Sequence, residues 1–440
     1  MANFLSIDAS IIEDYSYAGD AYQNIISITL KRDTQICPHC KSTFNRIKDY
    51  QNRKIKHSLF LGKETLFIIK NRRYECLECG KTFVGKNDFA PKKSRLSYET
   101  IYQILRLSME WNSTTKSVAS ICHVSDTTIQ NIFDKYVNPE RKVLPRILSI
   151  DECFNCHLFN DPYSCILFDF ERMKIVDIIE DRSKWNLAKY FNKVKPDERH
   201  NVKYVVIDMW DSYKESAETY FPNAMIAVDS FHVMQNITRA VDKIRCKVMG
   251  RYETNSNEHY LLKKYNDLLF EDPRIWEEKQ ENKRFKKYLN KRQMLDMMCN
   301  LDNDLNAAHE FYINYRRCNQ ILTYEEMDKI YDDFAFNIRM SAIEEFIPVL
   351  TALQNWKPYI LNSFKYVDGR RLSNGPIEGF NSCFKKTLTV SNGYANFERF
   401  RAKVMFCYNK ELKMKQVSKR ISKIPGKKRG KYAKKNRQTE

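Results

Sequence analysis

Glycine and proline are scarce in this chain, 11 and 12 of 440 residues, and nearly missing from 246–365, so that stretch cannot be a succession of turns. No apolar run approaches the roughly 18 residues that a membrane-spanning helix needs, and residues 1–10 lack the basic start of a secretory leader. Both absences point to a cytoplasmic protein with no membrane partner. Acid is in deficit: 55 Asp and Glu against 74 Lys and Arg leave a formal net charge of +19, which asks for a polyanionic partner, nucleic acid first. The 13 cysteines, an odd number spread through a long chain, fit thiols and metal ligands and not a disulfide framework. Hydrophobic residues at 43% are ample for folding, and the length calls for about two to four domains.

Residues 1–30 mix acidic and apolar side chains and carry no nameable chemistry; a short strand or helix packing on the segment after it is expected. Then Cys37-Pro38-His39-Cys40 and Cys76-Leu77-Glu78-Cys79-Gly80 form two C-x-x-C knuckles, separated by sequence that alternates like a strand at Leu59, Leu61, Thr65, Phe67 and Ile69. That is the pattern of a four-cysteine zinc ribbon, and it assigns 1–90 to an N-terminal segment and ribbon. Cys37, Cys40, Cys76 and Cys79 would fill the tetrahedral shell of one structural Zn²⁺, leaving no open position. Lys70, Arg72 and Arg73, beside the second knuckle, suit phosphate or simply a solvated face.

After Pro91 the periodicity becomes helical, with Ile101, Ile104, Leu105 and Met109 on one inner face. Residues 115–133 then read as a short helix with Ala119 near its middle, a turn, and a second helix capped by Ser125 with Ile129, Ile132 and Phe133 inward. This predicts a helix-turn-helix within 91–145, whose outward Thr127, Thr128, Gln130 and Asn131 lie where a recognition helix reads base edges. Plain helical hairpins share this outline, but behind a zinc ribbon in a basic chain DNA binding is the better expectation.

From Arg146 strands and helices alternate. Ile147-Leu148-Ser149-Ile150 stops at Asp151, Lys203-Tyr204-Val205-Val206-Ile207 at Asp208, and 224–228 at Asp229, with His232 three residues on. Two more strands are expected at 163–170 and 173–179, and a helix at 185–194. Three strands in hairpin succession, a helix, a strand and a helix is the order of a ribonuclease H-like mixed sheet, in which strands one and four are neighbours. Adjacent strands lie roughly 4.8 Å apart, so Asp151 and Asp208 can share a cation. An Asp after a strand can also merely cap the next helix; three such acids make that account insufficient. The chain thus reads as multidomain α+β and α/β, with the first part of the core at 146–245, an all-helical insertion at 246–365, final core helices at 366–410 and a basic tail at 411–440 that binds phosphate non-specifically.

Within 366–410, Ser373-Asn374-Gly375 forms a turn before Pro376, and Glu378 falls in the first turn of a helix with Asn381 and Lys385 along one face. Lys385 and Lys386 are expected DNA contacts. Asp151, Asp208 and Glu378 would offer hard oxygen ligands for Mg²⁺ or Mn²⁺, two ions about 3.5 to 4 Å apart, suited to in-line displacement at a DNA phosphodiester. Cys153 and Cys156 form a third C-x-x-C, read as buried strand thiols; Asp211 is read as a helix N-terminal acid and Trp210 as packing or a base-stacking ring.

These blocks together resemble the bacterial insertion-sequence transposases of the ISL3 family, DDE-type enzymes. The resemblance rests on Ile150-Asp151-Glu152, Ile207-Asp208-Met209, Phe221-Pro222-Asn223-Ala224, Val228-Asp229-Ser230-Phe231-His232-Val233 and Ser373-Asn374-Gly375-Pro376-Ile377-Glu378-Gly379-Phe380-Asn381, with the ribbon and helix-turn-helix ahead of them. It implies the triad Asp151, Asp208 and Glu378, a supporting Asp229 and His232 pair that orders the core through hydrogen bonds, and terminal inverted repeats and target DNA as partners. It also implies a homodimer or higher oligomer in the synaptic complex and work at the nucleoid. A non-catalytic DNA-binding regulator on the same scaffold, or a structure-specific nuclease without joining activity, are the alternatives.

Overall fold

The computed structural model describes residues 9–60, 62–85, 89–155, 161–271, 278–391, 394 and 396–411. Cys156 and nearly all of the basic tail lie outside them. The chain divides into two units, Met1–Glu140 with Lys386–Glu440, and Arg141–Lys385.

In the first unit, the N-terminal residues form not a single short element but a hairpin, β1 (Ile12–Gly19) and β2 (Gln23–Leu30), because Asp20 Oδ1 takes the N–H groups of Tyr22 and Gln23 and so closes the turn. A longer hairpin comes next, β3 (Asn45–Phe60) and β4 (Lys63–Cys76), with β5 (Thr82–Val84) on the outside of β4. The strand β2 pairs parallel to β4, placing Ile26 opposite Phe67 and Ile28 opposite Ile69. Alternate residues therefore bury on one face, where Ile26, Ile28, Ile55, Phe67 and Ile69 meet Phe89.

Three helices complete the pattern read from 91–145: α1 (Tyr98–Ser108), α2 (Thr115–Cys122) and α3 (Asp126–Tyr136). Ser97, Thr114 and Ser125 cap their starts through side-chain oxygens, each worth about 1 kcal/mol, and α2 carries a full capping box with Ser117. His123 takes a left-handed φ of 51° to turn α2 into α3. One further helix, α15 (Phe397–Asn409), departs from the expectation of a final core helix; its Ala402 and Phe406 join Ile101, Leu105, Val118, Ile129 and Ile132 in the helix-turn-helix core. Lys403 clamps it there: buried, its Nζ donates to the carbonyls of Ser108 and Glu110 and to Ser113 Oγ at 2.7 to 2.9 Å.

The second unit is built on a five-stranded sheet. Its strands are β6 (Ile147–Phe154), β7 (Tyr163–Asp169), β8 (Lys174–Ile179), β9 (Tyr204–Ile207) and β10 (Met225–Val228), in the order β10-β9-β6-β7-β8. β6, β7 and β8 run antiparallel in turn, whereas β9 is parallel to β6 and β10 to β9. The continuous apolar runs are explained by two covered faces. Leu148, Ile150, Val205 and Ile207 enter one large core, while their alternates Ile147, Val206 and Ala227 enter another with Val367 and Leu372. Between the strands lie α4 (Lys184–Phe191), a short α5 (Pro196–His200) that sequence did not reveal, and α6 (Asp211–Tyr220).

From α7 (Ser230–Met249) the chain is mostly helical through α8 (Asn257–Lys264), α9 (Lys291–Cys299), α10 (Asn303–Ile321), α11 (Tyr324–Met340), α12 (Ile347–Asn355) and α13 (Lys357–Asn362). The expectation of an all-helical stretch needs one correction: Gln280–Asn282 and Lys287–Leu289 pair as a small hairpin, β11 and β12. It is anchored by Asn282, whose amide nitrogen donates to Tyr265 Oη at 3.0 Å. A last pair, β13 (Tyr366–Val367) and β14 (Arg370–Arg371), leads into α14 (Gly375–Ser391).

Candidate functional site

The parallel register sets Ile150 opposite Ile207, so the next residues, Asp151 and Asp208, emerge side by side. Asp151 does not end its strand, contrary to the sequence expectation. Pairing with β9 stops there, but β6 continues against β7 to Phe154, and that one-sided stretch opens a place beside Asp151 that a backbone no longer fills. Both carboxyls are buried, as is Asp229 at the end of β10.

Each acid has named partners. Asp151 Oδ1 accepts the Glu152 N–H at 2.7 Å and its Oδ2 accepts Asn381 Nδ2 at 3.1 Å. Asp208 Oδ1 lies 2.9 Å from His232 Nε2 and accepts Asn374 Nδ2 at 3.0 Å. The same Nδ2 reaches the Ile150 carbonyl at 3.3 Å, while the Asn374 backbone N–H donates to Asp229 Oδ2 at 3.1 Å. Asp229 Oδ1 caps α7 by accepting the Phe231 N–H. Asn374, which sequence assigned only to a turn, thus ties β6 at Ile150 to the ends of β9 and β10. The one available signal was an Asn directly before a Gly-Pro helix start, which marks a cap and not a bridge.

Burial pushes the Asp151 carboxyl well above its usual range, and the neighbouring Asp208 charge pushes it the same way. Burial likewise raises Asp229, against the pull of the Phe231 N–H. For His232, burial works against the imidazolium, but the Asp208 contact outweighs it and the ring titrates above its ordinary value. The pocket is therefore short of positive charge. Beside it, Asn374 Oδ1 and Asn381 Oδ1 are buried without a hydrogen-bond partner among the described residues. Two adjacent buried carboxyls with amide side chains against them are a donor set that suits a hard divalent cation.

Glu378 is placed differently from the other two expected acids. It is exposed in the first turn of α14, one turn before Asn381, whereas Asp151 and Asp208 are buried; among the described residues none of the three acids belongs to a group of three or more ligand atoms within 4.8 Å of one another. Sequence also passed over Arg182, whose guanidinium is stacked 3.8 Å from the Trp210 ring and 4.2 Å from the Tyr163 ring and is bonded to Glu152. It links the residue after Asp151 to the start of α6. Trp210 is accordingly engaged in packing, and Asp211 opens α6. Cys153 is buried in its strand.

The four knuckle cysteines come together as one group, all ligand atoms within 4.8 Å, with Cys37 and Cys79 sulfurs 3.7 Å apart and Cys40 and Cys76 sulfurs 3.4 Å apart. A tetrahedron with Zn–S of about 2.3 Å has sulfurs about 3.8 Å apart, so the donors fit zinc. Burial raises the Cys37 thiol, yet N–H groups of Cys40 and His39 aimed at the sulfur outweigh it and bring it to about 6, ready to ligate as thiolate. On α3, Thr127, Gln130 and Asn131 are exposed; Thr128 is half-buried and shares its hydroxyl with the Ser125 cap at 2.9 Å. Lys385 and Lys386 are exposed on α14. No helix among the described residues is long and apolar enough to cross a membrane.

Comparison with known proteins matches residues 148–404 to a transposase family, the DDE domain of ISL3. Residues 33–79 match the zinc-finger of transposase IS204/IS1001/IS1096/IS1165, and residues 86–137 the helix-turn-helix domain of transposase family ISL3. The transposase for insertion sequence element IS1001 of Bordetella parapertussis is 22% identical over 259 residues, 56% of this chain. The match spans 61% of the length of that relative.

Proposed function

The chain belongs to the ISL3 family of transposases, and from that premise we propose that it binds the terminal inverted repeats of an insertion sequence and cuts and joins DNA strands at the Asp151 and Asp208 pair. The observation that carries this is the meeting of the two acids, buried and side by side, each taking an amide from α14 or from the residue just before it. The order β10-β9-β6-β7-β8 supports a ribonuclease H-like core, with the largely helical 230–364 inserted between the second acid and α14.

Asp151, Asp208 and Glu378 would hold two Mg²⁺ or Mn²⁺ ions. When bound, these would activate a water or 3′-hydroxyl nucleophile and offset charge on the leaving oxygen. The protein's own part is to hold the acids in register. His232 and Asn374 fix the Asp208 carboxyl, and Asp229 fixes Asn374. Glu378, on the same face of α14 as Asn381, would be the third carboxylate ligand, and bound cations would offset the repulsion among the three. Thr127, Thr128, Gln130 and Asn131 read base edges, and Lys385, Lys386 and the basic tail take phosphates. Synapsis of two ends calls for a homodimer or larger assembly, at work on the nucleoid in the cytoplasm.

Full-length, zinc-loaded protein given pre-cut end DNA and a target plasmid in Mg²⁺ should yield joined product. Asp208→Asn should retain end binding and lose joining. Joining that persists in the variant overturns the site, and cutting without joining in the native protein makes it a nuclease.

A further inference from the structure

We propose that Asn381 is a further ligand residue for the divalent ion at Asp151, reached by rotation of its side-chain amide; this rests on the metal-dependent reading of the acid pair. The amide has two ends. Its Nδ2 donates to Asp151 Oδ2 at 3.1 Å, and its Oδ1 is buried with no partner among the described residues. A buried acceptor left idle costs about 1 to 3 kcal/mol, a cost that a cation held by this oxygen would remove.

The two asparagines that reach the acids differ in how firmly they are held. Asn374 spends its Nδ2 on two acceptors, Asp208 Oδ1 and the Ile150 carbonyl, and its backbone N–H on Asp229, so turning its amide would break two bonds at once. Among the described residues Asn381 has one acceptor for its Nδ2, and it is only half-buried. Turning that amide by half a revolution exchanges nitrogen for oxygen over the same carboxyl. The Asp151 Oδ2 atom is freed for a cation and Oδ1 of Asn381 is delivered beside it, a neutral hard ligand of the kind Mg²⁺ and Mn²⁺ accept. No proton or electron moves in this exchange. Glu378 stands one turn earlier on the same face, so one helix would bring both a charged and a neutral oxygen to the ion.

Mn²⁺ binding to the full-length, zinc-loaded protein without DNA, followed by loss of the free-ion paramagnetic resonance signal, tests this apart from activity. Asn381→Ala should weaken Mn²⁺ binding about tenfold, and Asn381→Asp should restore it. Asn381→Leu, which keeps the side chain's shape, should behave as the alanine variant if the latter unfolds. A residue that only donates to Asp151 would compete with the ion, so unchanged or tighter binding in the alanine or leucine variant overturns the proposal. Asp151→Asn provides the separation: if it leaves Mn²⁺ binding unaltered, the acid pair is not the metal site and the underlying reading falls as well.

Discussion

Asn374 and Asp208, 166 residues apart, are joined by a 3.0 Å bond from amide to carboxyl, and the same amide holds the Ile150 carbonyl on the next strand. A bond of this kind to a buried charge is worth about 1.5 to 3 kcal/mol, more than a surface contact could supply. It makes the entry to α14 a clasp over the middle of β6 and the carboxyl end of β9.

Asn374→Ala should therefore lower stability by about 2 kcal/mol and slow strand joining by 10- to 100-fold, since Asp208 loses the amide that holds it and keeps His232. Asn374→Asp should be worse in joining, because it adds a carboxylate where Asp151 and Asp208 already repel. Urea unfolding and a joining assay on both variants check this; equal activity in all three proteins would show that the clasp does not order the acids.

A pH dependence arises from His57 in the first unit. The ring is buried against Phe67, its Nδ1 lies 3.0 Å from Ser97 Oγ, and burial pushes its pKa down to about 4. The folded value is depressed below the unfolded one near 6.5, so the unfolded chain binds the proton first. The stability this supports is full above pH 6.5 and is lost as pH falls toward 4, by up to about 3 kcal/mol. His57→Gln cannot titrate, and its unfolding free energy should decline less steeply than that of the native protein between those limits. Parallel slopes for the two proteins would refute the assignment.

The parts of this fold legible in sequence are those where a pattern names its own partner. Two C-x-x-C knuckles must meet around one ion, and an unbroken apolar run such as Val205-Val206-Ile207 must be covered on both faces. An apolar helical stripe says only that something covers it. Ala402 and Phe406 lie in a stretch read only as final core helices, and nothing in it reveals that the helix-turn-helix covers them. The extent of β6 beyond Asp151 depends on β7, a partner that the run 147–150 does not encode. The hairpin within 278–290 is held by Asn282 to Tyr265, a contact with no local signature. Asn374 and Asn381 were visible as residues, but which acid each would reach is a property of the assembled sheet.

Zinc should be structural and confined to the ribbon. Cys37→Ser replaces a thiolate already brought to about 6 by backbone N–H groups with a hydroxyl that stays protonated. Zinc content measured after denaturation should fall from one ion per chain to nearly none, and the first unit should melt earlier. Mn²⁺ binding at the acid pair should not change. Full retention of zinc in the variant would remove Cys37 from the ligand set.

The DNA-binding unit should depend on a helix far from it in sequence. Phe406 is buried with its ring edge-on to Phe133, 6.0 Å between centroids, and Phe133 packs on α3 beneath the exposed Gln130 and Asn131. Removing the ring leaves a cavity at about 3 to 5 kcal/mol, a large share of what a small domain has. Lys403 works on the other side of the same helix: three oxygens around its Nζ replace the water that burial removes, and without the ammonium those carbonyls of Ser108 and Glu110 lose their donor. Phe406→Ala and Lys403→Ala should each lower the melting temperature of the first unit and weaken binding to end DNA at least tenfold. Both should leave Mn²⁺ affinity at Asp151 and Asp208 as it was. If α15 were a catalytic-core helix, as the sequence suggests, the same substitutions would reduce Mn²⁺ binding and spare DNA binding, so the two titrations run side by side decide where this helix belongs.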